Sequence, residues 1–195
     1  LGAVHPQFDM HDLPFHTKWL SDVAGGQIYI YSTPSEFQNR PVINLSGGYI
    51  LLMPLQLLAL TPRLAVQTGV VLADALGGLL LLGLARAIGL GGRPALLAAV
   101  LYWMLPITMT MLWWGFATNA LAQPAGIGLA WLLLRLEQRP TGRRCAVFAV
   151  ACACCMLLHL GALALLLVLL GAALALGWRA AAGRWAVLGA GALAL

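Results

Sequence analysis

Charge is scarce in this chain. Of its 195 residues only 9% are Asp, Glu, Lys or Arg, while 62% are hydrophobic and the mean hydropathy is +0.90. A soluble domain of this size carries roughly 25% charged residues, so a water-exposed globule is excluded. Acids number six and lysine occurs once, at Lys18, so the net charge of +5 is owed to arginine. Those arginines fall singly or in small groups between apolar runs, as Arg86/Arg93, Arg135/Arg139/Arg143/Arg144 and Arg179/Arg184. That is where loop cations fall under the positive-inside rule. No basic face interleaved with aromatics points to nucleic acid.

Other signals are missing as well. No basic n-region followed by an apolar h-region opens the chain. The four cysteines, Cys145, Cys152, Cys154 and Cys155, share one apolar segment without zinc or redox spacing, and read as small residues in a helix interface. No internal repeat is detectable. The chain opens on Leu1 and closes on "WAVLGAGALAL", which reads as half a span, so a piece of a longer protein is expected.

What is present is a series of long apolar runs. Residues 64–90, 94–114 and 116–136 each approach or exceed the ~20 residues that cross a bilayer. The stretch 48–61 is too short to span and is read as re-entrant or interfacial. Residues 145–178 are too long for one helix and divide into 145–158 and 161–178 around His159, with 185–195 a truncated last span. The fold class is therefore all-α, a polytopic transmembrane helix bundle forming a single incomplete domain. With the arginine groups cytoplasmic, His159 and residues 106–120 face the other side, and the loop 1–47 is extracytoplasmic on a plasma-membrane protein. Trp113 and Trp114 then fall in an aromatic belt, and Asn119 and Gln123 bond between helices.

The ionisable chemistry concentrates in "HPQFDMHDLPFHTKW", residues 5–19. Within 13–23, Phe15, Trp19, Leu20 and Val23 have helical spacing, which predicts a short amphipathic helix at the membrane interface with Trp19 at headgroup depth. Asp12 is a natural N-cap, Pro14 is tolerated in the first turn, and His16 shares the face of Asp12. Asp9 and His11 lie just before. Two carboxylates with two or three imidazoles suit a divalent cation such as Mg or Mn, or a carboxylate base oriented by histidine. A solvated loop whose Asp12 only caps a helix accounts for the same spacing. "QIYIYS", residues 27–32, alternates and reads as extended. Asp74 stands alone in "VVLADALGG" at mid-span, where a charge is expensive and marks function or an interhelical bond.

"HDLPFHTKWL" followed by "GGQIYIYSTP" resembles the first extracytoplasmic loop of GT-C membrane glycosyltransferases, in particular a bacterial branch whose loop reads G-D-L-P-F-H. The following long helix ending in "LARAIGLGG", the cationic turn "LRLEQRPTGRR" and "LLHLGAL" agree in style. The resemblance implies sugar transfer from a polyprenyl-phosphate donor at the outer membrane face. It makes Asp12 the catalytic base or metal-associated residue and Asp9 the second candidate. His11 and His16 would support the site; on the residues alone, His159 either joins this cluster or ends a helix, and Lys18 and Arg40 either bind the donor phosphate or stand as interfacial cations. The chain departs from the commoner pattern in having no Asp-Glu pair in the loop and no Tyr-Pro-Pro before the next helix. The rival reading is an ion- or proton-coupled transporter centred on Asp74, or a non-catalytic membrane subunit.

Overall fold

A computed structural model describes residues 10–32, 38, 40–105 and 117–159, and positions 161, 164, 167, 168, 171 and 172 beyond them. The protein is mostly helical. Among the described residues the elements are α1 (Leu13–Ala24), β1 (Ile30–Ser32), β2 (Val42–Asn44), α2 (Gly47–Gln56), α3 (Pro62–Ala87), α4 (Gly92–Met104), α5 (Ala117–Gln138) and α6 (Gly142–Leu158). The expected helices at 161–178 and 185–195 lie largely or wholly outside the described residues, as do Trp113 and Trp114.

Local chemistry sets the boundaries. Thr61 and Thr141 each accept a hydrogen bond from a backbone N–H three residues on, at 3.3 Å, and so cap α3 and α6. Pro62 follows Thr61 at the first helical position, where no N–H is missed. α4 ends at Met104, because Leu105 precedes Pro106 and is extended (φ −63°, ψ 130°); the rest of the expected span, 106–114, lies outside the described residues. The 13 residues of α4 reach only about 20 Å, less than a bilayer core. α6 ends at Leu158, with His159 extended at φ −162°. α2 has 10 residues, too few to span a bilayer core. Among the described residues α3, with 26, is the one helix long and apolar enough to cross a membrane.

The helices assemble through glycine notches. Gly77 and Gly78 of α3 receive the Tyr102 hydroxyl and the Trp103 indole of α4, with the tight turn at 88–91 making the two helices antiparallel. Gly83 of α3 faces Trp131 of α5, and Leu80 faces Gly128, so α3 and α5 run parallel. α6 returns antiparallel along α5 and buries Phe148, Cys152 and Cys155 against Leu129 and Leu136. Cys152 and Cys155 are thus interface residues with Cys145 packed beside them, Cys154 is exposed, and all four are unbridged.

α1 covers the end of the bundle opposite the arginine turns. Leu13, Trp19, Leu20 and Val23 join Tyr49 and Leu52 of α2, Ala65, Val66 and Val70 of α3, and Ala117 and Ala120 of α5 in one buried cluster. Trp19 is buried, because α2 and α3 occupy the apolar face of α1. After a turn with Gly26 at φ 93°, β1 pairs antiparallel with β2, Tyr31 opposite Ile43. Asn44 Nδ2 donates to Ser32 Oγ at 2.7 Å across this ribbon.

Candidate functional site: the α1 cap and the groove beneath it

Asp12 occupies the N-cap position of α1, yet its side chain makes no cap hydrogen bond. Its backbone carbonyl accepts from the His16 N–H at 3.1 Å, and the carboxylate is left half-buried at the start of the helix. His16, one turn on, points the other way chemically. It is 5% exposed, with Nδ1 hydrogen-bonded to Tyr49 Oη at 2.6 Å. Burial holds the imidazole well below its ordinary range, to about 4, against the opposing pull of the Asp12 charge. The ring is therefore neutral at physiological pH. Trp19 stands edge-on to Tyr49, with centroids 5.8 Å apart, and completes an aromatic box around the imidazole.

The expected site residues separate into groups. Asp12, His11 and His16 fall together at the start of α1, whereas Asp9 lies outside the described residues. His159 follows the end of α6, where Leu157 abuts Gly47 of α2, two residues before Tyr49. His16 and His159 thus belong to the same end of the bundle. Lys18 is engaged within its own helix, donating to Asp22 Oδ2 at 2.6 Å. Arg40 is exposed just before β2. Among the described residues no three His, Cys, Asp or Glu side chains stand close enough to hold a metal ion. With one nitrogen of buried His16 given to Tyr49, the described donor set does not form a cation cage.

Asp74 belongs to a different place, the packed interface of α3, α4 and α5. Its carbonyl accepts from Trp103 Nε1 at 3.2 Å. One turn on, Tyr102 Oη sits over Gly77 and donates to Gln123 Oε1 of α5 at 3.1 Å. Asp74 Oδ1 is enclosed without a hydrogen-bond partner among the described residues. Gln123 bonds between helices as its spacing implies.

Residue spacing gave no sign of the feature beneath the cap. An apolar groove of about 580 Å³ runs between α2, α3, α5 and α6. Leu51, Leu52 and Leu55 line it from α2, and on α3 its lining extends from Gly69 to Leu80, about 16 Å of helix. Leu52 also belongs to the cluster that buries Leu13, the residue after Asp12. Leu13 and the groove are therefore linked through one packed cluster, with Leu52 belonging to both. Leucines that face such a groove are indistinguishable in sequence from leucines that face lipid. Comparison with protein-family models, with curated proteins and with solved structures finds no match for this chain.

Proposed function

We propose that the chain is the membrane-embedded part of a GT-C-type glycosyltransferase that takes a sugar from a polyprenyl-phosphate donor at the extracytoplasmic face. The observation that carries the reading is the junction at the α1 cap. A carboxylate unused by the helix it begins is next in sequence to Leu13, whose packed cluster shares Leu52 with a long apolar groove. An isoprenoid tail suits a groove lined by leucine and alanine, and a reacting headgroup suits a polar rim. The reading makes the chain a polytopic helix bundle in the plasma membrane, with α1 on the outer side and the arginine turns inside.

In this mechanism Asp12 accepts the proton of an acceptor hydroxyl as its oxygen attacks the anomeric carbon. The bond to the lipid phosphate breaks with its electrons leaving on the phosphate oxygen. Arg40, exposed near the same end and with a planar fork suited to phosphate, screens that charge; Lys18 is already committed to Asp22. His16 and Tyr49 anchor the helix that carries Asp12 and take no part in proton transfer. Turnover of lipid-linked sugar in membranes containing the full-length protein tests the role. Asp12→Asn should lower it by about a hundredfold or more, the usual contribution of a general base. Unchanged turnover overturns the assignment.

A second reading rests on Asp74, whose enclosed Oδ1 lacks a described partner at mid-helix. Such a group suits a proton-coupled transporter. Proton-driven uptake abolished by Asp74→Asn but preserved in Asp12→Asn would favour it over the transferase.

A further inference from the structure

We propose that the arginine-bearing end of the bundle is a docking surface for anionic phospholipid headgroups. Because α3 and α5 run parallel and each is followed by a tight turn, the α3–α4 and α5–α6 turns share one end. Arg86 and Arg93 flank the first turn, and Arg135, Arg139, Arg143 and Arg144 surround the second. The single acid among the described residues of these turns is Glu137. Two of the arginines are used internally. Arg144 donates to the carbonyls of Arg135 and Arg139, at 2.8 and 3.0 Å, closing the α5–α6 turn. Arg135 lies over the Trp131 ring, 6.0 Å from its centroid. Arg86, Arg93, Arg139 and Arg143 are exposed, and the ion pair found among the described residues, Lys18–Asp22, is at the other end.

The residues between these cations decide what the surface meets. Ile88 and Leu90 are exposed on the first turn itself, 60% and 42%. Leu96 and Leu97 are exposed one turn beyond Arg93, and Val147 one turn beyond Arg143. A surface for a soluble polyanion has no use for bare isoleucine and leucine among its cations. At a bilayer boundary both kinds of side chain find a partner, guanidinium forks on phosphate and apolar side chains on acyl carbon. Two cationic turns on neighbouring helix pairs give a lipid phosphate arginines on two sides.

The inference rests on the membrane reading above but not on the transferase chemistry. Full-length protein, reconstituted into bilayer discs of mixed phosphatidylcholine and phosphatidylglycerol, is released for native mass spectrometry and its retained lipids counted. Phosphatidylglycerol should be retained in preference. Each of Arg86→Gln, Arg93→Gln, Arg139→Gln and Arg143→Gln should weaken that preference, by about fivefold apiece. The four corresponding lysine variants should largely keep it, as should Lys18→Gln with Arg40→Gln at the opposite end. Flotation with liposomes after an alkaline wash is read first, since a chain that does not float defeats the membrane reading itself. A chain that floats but retains both lipids equally, or whose glutamine and lysine variants behave alike, overturns this inference alone. Displacement of the retained lipid by a short RNA also overturns it.

Discussion

Two neighbouring side chains in α1 have opposite fates. Asp12 stays at the rim and His16 enters the core, although they are four residues apart on one helix face. The imidazole is admitted because Tyr49 supplies a polar partner 2.6 Å away, without which burying it would cost one to several kcal/mol, roughly. Its folded-state value of about 4 lies below the ordinary 6.5, so the unfolded chain takes up the proton first. Stability contributed by His16 is therefore complete above pH 6.5 and lost as pH falls toward 4, after which it changes no further. The full shift corresponds to about 3 kcal/mol. Thermal unfolding in detergent micelles at pH 7 and pH 4.5 should show this loss in the wild type, and much less of it in His16→Phe. An equal loss in both would assign the acid sensitivity elsewhere. The sequence made the Asp12–His16 relation legible, because i, i+4 spacing is local. Tyr49 was not legible as a partner, because 33 residues separate it from His16 and only tertiary folding joins them.

At the level of elements, small residues decide which helices touch. The Gly77-Gly78 pair lets the α4 aromatics approach the α3 backbone, and a β-carbon at either position would collide with the Tyr102 hydroxyl or the Trp103 ring. Gly78→Leu should thus separate α3 from α4 and destabilise the protein by about 1–3 kcal/mol, the cost of overpacking. The loss of melting temperature measures it, and Gly126→Leu, at a position with open space, serves as the comparison. Helix ends have local causes at Thr61, Thr141 and the residue before Pro106, although the expected span 94–114 runs through that proline. The β-ribbon was half readable. "QIYIYS" alternates over enough residues to be seen, but its partner "VIN" is three residues long and is defined only by pairing. The spacing in α1 marks its apolar face, and the structure adds that α2 and α3 pack against it. Periodicity tells which side of a helix is buried, not whether lipid or protein buries it.

Across the whole molecule, chemistry is sorted by end. Among the described residues His11, His16, Tyr49 and the rim carboxylate collect with α1 and α2, six arginines stand at the α3–α4 and α5–α6 turns, and a leucine-lined groove lies between. That polarity was visible in the sequence as blocks of charge separated by apolar runs, which is why the two ends were legible before any contact was known. The groove was not, since its walls come from four helices and its emptiness leaves no mark on any one of them. Ala125 lines it from α5, and Ala125→Trp should fill part of its length. On the proposed function, KM should then rise about tenfold or more for long-chain polyprenyl donors and far less for a short-chain analogue, with kcat largely kept. An equal effect on both donors would show that the tail does not lie there.

Gly47 opens α2 directly against the backbone carbonyl of Leu157, and any β-carbon there would meet main-chain atoms that have nowhere to retreat. By contrast Gly126 and Gly142 have open space around them. In a saturation library selected for folding, position 47 should accept glycine alone, while 126 and 142 tolerate alanine and serine. A single hydrogen atom in place of a methyl group thereby fixes where the last turn of α6 rests on α2. The freedom of two helices more than a hundred residues apart to diverge in sequence is bounded by that one small residue.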